Sequence, residues 1–172
     1  MANAAVANTA PEPWLRGPVA GVNPYVMPVF FTFAQVREDL ATHTAGLTRE
    51  QVWRKIGPTP LGFHLKHIAG SVDRLTTYLF GRQLSPQQLA SLAEEPRGSE
   101  DLSALLGLIE ENLQNSEEML RALHPDALHE PRAVGRQALP TTVIGLIVHL
   151  AEHTQRHLGQ AIIISQVLRQ LS

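Results

Sequence analysis

Near its C-terminal end the chain carries His149, His153 and His157, each four residues from the next, in "HLAEHTQRHLGQ". On a helix, residues four apart are offset by about 40° and stand one above the other. Val143, Ile147, Leu150, Thr154, His157, Ala161, Ile164 and Leu168 form one stripe of alternating steps. Leu146, Leu150, His153, His157, Gln160, Ile164 and Val167 form the adjacent one. His157 belongs to both and is expected near the middle of the buried face. His153 falls about 40° to one side and His149 about 80°, at the edge of that face. A single inward histidine is most often a core residue bonded to a neighbour, because a buried imidazole is costly when its nitrogens lack partners. Two at i and i+4 change the balance. Their ring nitrogens can converge on one ion at ~2.0–2.2 Å, with a third ligand arriving from a facing helix.

That third ligand has two candidates in "FHLKHIAGS". His64 lies about 60° from the centre of its helix's apolar seam, and His67 lies further off, on a side face shared with Ser71 and Arg74. Periodicity favours His64 as the more inward. Gln160, one turn past His157, is placed either to bond a histidine ring or an incoming ligand, or to satisfy a core neighbour. Glu152 points roughly 100° away from His153 and is expected to be a solvated or inter-helix charge. Arg74 is an ordinary surface arginine or an anchor for an anionic substrate. His43, His124 and His129 are expected at the surface, with His124 near a helix C-terminus, where a cation is favoured. There is no HExxH, no Glu-x-x-His pair, no glycine-rich phosphate loop and no G-x-S-x-G elbow.

Helices must position these residues. "PEPWLRGPVAGVNP" has Pro and Gly every few residues and is expected to be an extended arm, with Trp14 and Leu15 as anchors. A first long helix is expected from Asn23-Pro24, or from Pro28, to Gly46. Thr48 and Gln51 form a capping-box pattern for a short helix ended by Gly57. Thr59 is expected to cap a second long helix that ends at Gly81. Its seam is Leu61, Leu65, Ile68, Val72, Leu75 and Leu79. Ser85-Pro86 opens another short helix. Ser99 is expected to cap a third long one that stops before Pro125, and Thr141 or Thr142 to cap the last. "HEPRAVGRQAL" carries a weak strand pattern compatible with a small hairpin. The expectation is one all-α domain, a four-helix bundle over 23–172 with short connecting helices, preceded by an arm over 1–22.

Composition narrows the function classes. The 172 residues carry a formal net charge of -2, with 44% hydrophobic and 17% charged residues. No basic field exists to hold nucleic acid or an anionic membrane, and no apolar run approaches the roughly 18 residues of a membrane span. "MANAAVANTAPEP" lacks the basic start and apolar centre of a signal peptide and is expected to be a tail. The chain has no cysteine. That fits a cytoplasmic protein, restricts any metal site to nitrogen and oxygen ligands, and means that any reacting thiol comes from a cofactor.

With these residues in view, the chain resembles the DinB-like superfamily of four-helix bundles. "GFHLKHIAGSVDRL" is similar to that family's second-helix signature, a metal-binding His just before an Ile-Ala pair. "EHTQRHLGQ" is similar to its fourth-helix signature, and "EPWLRGP" with the Pro-rich turn after it resembles the opening of one subgroup. The resemblance covers about residues 11 to 170. It implies up-down-down-up helix order with a long crossover, frequent homodimers, and a divalent ion held by His67, His153 and His157, with His149 as a neighbour. Zinc or nickel is the first expectation, with iron or manganese as further options. Relatives include thiol-dependent S-transferases, a thiol-dependent isomerase and members classed as metal-dependent hydrolases. A low-molecular-weight thiol and a small-molecule substrate are therefore the implied partners. The alternatives are a metal-binding or ligand-sensing module without chemistry, and a structural or dimerising helical protein whose histidines are satisfied core residues.

Overall fold

The computed structural model describes residues 10–171. Four long helices carry the core: α1 (Met27–Thr44), α3 (Leu61–Leu79), α5 (Leu102–Arg121) and α6 (Val143–Gln170). Two short helices, α2 (Arg49–Trp53) and α4 (Pro86–Glu94), lie in the connections. A hairpin of β1 (Pro131–Val134) and β2 (Leu139–Thr142) precedes α6, in the segment where the weak strand pattern lies.

Side-chain pairs give the helix directions. Arg169 at the end of α6 donates to the carbonyls of His43 and Ala45 at the end of α1, so these two helices run the same way. His64 and His67 meet His157 and His153 in reverse order, so α3 is antiparallel to α6. Lys66 pairs with Glu100 and Thr76 with Ser116, so α3 and α5 are parallel. Arg121 lies over the Phe30 ring, which sets α5 antiparallel to α1. The order is up-down-down-up. Two successive parallel helices need a long return, and residues 80–101, with α4, supply it.

Each long helix turns one apolar stripe inward: Phe33, Val36 and Leu40 from α1, Leu61, Leu65, Ile68 and Val72 from α3, Ile109 and Leu113 from α5. On α6 the stripe is Val143, Ile147, Leu150, Thr154, Leu158, Ala161, Ser165 and Leu168. It passes through Leu158 and Ser165, not through His157 and Ile164 as the alternating pattern suggested. Strict alternation of four and three drifts about 20° per heptad against a straight helix, and consecutive steps of four absorb the drift. His153 and His157 therefore flank the core and are half-buried.

The ends also correct several expectations. Asn23 forms a turn through its Oδ1 and the Tyr25 N–H, and α1 starts at Met27 with Pro28 in its first turn. Pro60, not Thr59, stands before α3, and Asp101, not Ser99, before α5. Thr48 forms the expected capping box, and Ser85, expected only to open a short helix, forms one with Gln88 as well. In the arm Pro13 is buried, while Trp14 and Leu15 are 60% and 56% exposed. The arm is anchored by Pro13 and by Arg16 against Glu38, at 2.8 Å, not by the two larger side chains. His124 caps the start of the 3-10 turn Pro125–His129 and does not sit on a helix C-terminus. Residues 1–9, most of the Ala-rich stretch, lie outside the described residues. No helix among the described residues is long and apolar enough to cross a membrane.

Thr142 caps α6 by accepting from the Gly145 N–H at 3.2 Å. Thr142→Ala is expected to remove about 1 kcal/mol and lower the melting temperature by roughly 2–4 °C. Thr141→Ala should stay within ~0.5 kcal/mol of the parent, as measured by thermal unfolding.

Candidate metal centre

The antiparallel contact of α3 and α6 brings five histidines to one place. His67 Nε2 lies 2.9 Å from His153 Nε2. The His157 ring lies 4.2 Å from that of His67 and 4.8 Å from that of His153, between centroids. One donor atom from each of His67, His153 and His157 falls within 4.8 Å of the other two. Phe63, one position before His64, stacks on His67 at 5.4 Å and meets His64 and His157 edge-on. It walls the cluster with an apolar face.

His64 is the more buried of the two α3 candidates, at 5% exposure, as periodicity suggested. Its nitrogens are nonetheless taken. Nδ1 meets His157 Nδ1 at 3.1 Å, and Nε2 meets the Thr59 hydroxyl at 2.9 Å. His64 therefore steadies His157 from behind and leaves His157 Nε2 for the cluster. Thr59, expected to cap a helix, instead closes this chain of hydrogen bonds. His149 is exposed and sits near Glu152, with its ring 5.2 Å from that of His153. Glu152 is a solvated charge paired with Arg156. Gln160 is exposed and lies outside the ring cluster.

The residue that orders the site is Glu95, just past the end of α4. It is 3% exposed and grips two partners. Oε2 lies 2.6 Å from His67 Nδ1 and Oε1 lies 2.7 Å from Arg74 Nη1. A carboxylate only accepts, so the His67 proton sits on Nδ1 and Nε2 presents its lone pair to the cluster. Arg74, read from sequence as a surface residue or a substrate anchor, is buried and balances this carboxylate. Gly70 makes the arrangement possible, because a Cβ there would run into Glu95 Oε1 and Arg74 Nη1. Sequence pattern offered no sign of Glu95, which follows a short helix in an irregular connection. Gly70, one turn before Arg74 on α3, is the nearest thing to a signal.

Burial, helped by neighbouring positive charge, pushes the pKa of His153 down to about 4 and that of His157 down to about 3. Burial lowers that of His64 as well. Near neutral pH His153 and His157 are therefore uncharged. His153 Nδ1 is buried and without a hydrogen-bond partner. The donor set suits a divalent cation: imidazole nitrogens converge, and His67 turns its other nitrogen to a carboxylate.

The family model for the DinB superfamily matches residues 32–161. The chain belongs to the DinB superfamily. The match spans α1 through the histidine-bearing part of α6, so it contains all three clustered histidines and Glu95. No curated protein matches the chain in sequence. This DinB-superfamily protein has a three-histidine cluster able to hold a metal ion.

Glu95→Gln keeps the shape but gives up the charge that holds His67 and Arg74. Partners of this kind typically change metal affinity 10–100-fold. A dissociation constant raised by about that factor is expected, measured by chelator competition on protein whose helical circular dichroism is intact.

Proposed function

We propose that this DinB-superfamily protein is a metal-dependent enzyme acting on a small molecule, of hydrolase or thiol S-transferase type, with His67, His153 and His157 as its metal ligands. The observation that carries it is the convergence of those three rings, with His67 held from behind by Glu95. Three protein ligands are the pattern of catalytic sites, where a coordination position stays open, and four that of closed structural ones. An ion so held keeps its full charge and would acidify a bound water or thiol. Zinc or nickel is the proposed occupant, since nitrogen-rich sites favour the later divalent metals. The chain's own residues do the rest. Glu95 fixes the His67 tautomer, and His64 with Thr59 sets the His157 ring. Phe63 shields one side from water. With no cysteine in the chain, a transferred thiol group would be supplied by a low-molecular-weight thiol.

A specific observation favours an enzyme over a closed binding module. A cleft of about 210 Å³ borders the cluster and includes His67, Arg74, His149 and His153 in its wall. Elemental analysis of untagged protein purified without chelator tests the metal assignment. About one divalent ion per chain is expected in the parent and in His149→Ala, and none in a folded His153→Ala/His157→Ala variant. Equal metal content in all three would contradict it.

A further inference from the structure

Arg74 is held on one side and open on another. Its side chain is only 8% exposed, and its Nη1 donates to Glu95 Oε1 at 2.7 Å. A guanidinium carries its N–H donors in a fixed planar fork, and this contact uses one nitrogen of the fork. Nε and Nη2 have no acceptor among the described residues. Neither is sealed in: the fully buried side-chain atoms without a partner are Asn23 Nδ2 and His153 Nδ1. What surface Arg74 keeps faces the histidines. It lines the cleft of about 210 Å³ that also holds His67 and His153, and it is absent from the wall of the larger cleft along Gly70 and Asp73. Glu95 is placed the other way, in the wall of the larger cleft and not of the smaller one.

The small cleft therefore meets the guanidinium and not the carboxylate that neutralises it. Among the described residues, no aspartate or glutamate lines it. His149, also in the wall, can only add positive charge, and Glu152 beside it is bound by Arg156. Histidines that ligate a metal are neutral, so an ion held by His67, His153 and His157 would keep its two positive charges at this edge. Two adjacent N–H donors match the two oxygens of a carboxylate.

We propose that this cleft takes a small organic carboxylate, anchored through its carboxylate on the Nε and Nη2 edge of Arg74, with its reacting group at the His67 and His153 edge. The assignment rests on the metal site proposed above. It adds the charge of the substrate and the residue that anchors it. Leu75, Tyr78, Leu84 and Leu92 line the rest of the wall and suit a short apolar body. The volume, below the ~300–1,000 Å³ usual for drug-sized ligands, keeps that body compact.

The probes are hydroxamates that end in a carboxylate, in a series of chain lengths, beside their methyl esters. They are titrated into cobalt-loaded protein and followed by its visible absorption. In the parent, the acid should bind about tenfold or more tighter than its ester at one chain length, with a smaller advantage at shorter and longer ones. Attraction by the ion alone would instead fade steadily with length. Two variants, saturated with cobalt, isolate Arg74. Glu95→Gln leaves the guanidinium in place and should keep the advantage of the acid. Arg74→Met/Glu95→Gln removes the pair without changing the net charge, and should lose that advantage while binding the ester as Glu95→Gln does. A normal cobalt spectrum with no advantage of the acid in the parent, or one that fades steadily with length, would overturn the anchor and leave the metal site standing. So would an advantage that survives in the double variant. Failure of the parent to bind cobalt would overturn the metal site and this proposal together.

Discussion

A protonated imidazole has no lone pair for a cation, and two charged imidazoles repel each other at ring-contact distance. Presenting three ring lone pairs to one point is therefore the constraint from which the rest of this site follows. Burial supplies part of it, pushing His153 to about 4 and His157 to about 3. Geometry supplies the remainder. His67 donates its Nδ1–H to Glu95 on the side away from the cluster, and His157 turns its Nδ1 toward His64. Two of the three rings are thus oriented by a group behind them, and that is how protein ligands to metals are generally held.

Topology makes that support available. In an up-down-down-up bundle, the second and third long helices are parallel, so the chain must return along the outside between them. Here the return brings Glu95 back over the middle of α3, next to His67, Gly70 and Arg74. A buried carboxylate without a cation would be costly, and Arg74 offsets it. Trp53 fixes the neighbouring end of the return through its bond to the Glu100 carbonyl, and Gly62 and Gly98 leave room for its ring. The crossover is thus packed against the same face of α3 that carries the site.

How much of this was legible in the sequence depends on periodicity. The four long helices and the capping box at Thr48 were, because apolar spacing and cap chemistry are local signals. The histidines of α3 and α6 were legible as a group for the same reason. Their exact rotation was not. The pattern could run through His157 or Leu158, and the choice turns on a drift of a few tens of degrees that single residues do not resolve. Burial also failed to rank the α3 histidines by role. His64 is the deeper, but its nitrogens serve Thr59 and His157, while the less buried His67 faces the cluster. Glu95 and Arg74 were illegible because their pairing joins a loop to a helix and leaves no periodic trace. Arg74 looked like a surface residue because a lone charge at the edge of an apolar stripe usually is one. Phe63 was hidden among seam residues, although its ring packs on three histidines.

X-ray absorption on the zinc- or nickel-loaded protein, beside the His67→Ala and His64→Ala variants, tests the central claim most directly. The account predicts three imidazole nitrogens at ~2.0–2.2 Å in the parent, two in His67→Ala and three in His64→Ala. A histidine shell that loses a ligand in His64→Ala and stays whole in His67→Ala would contradict it.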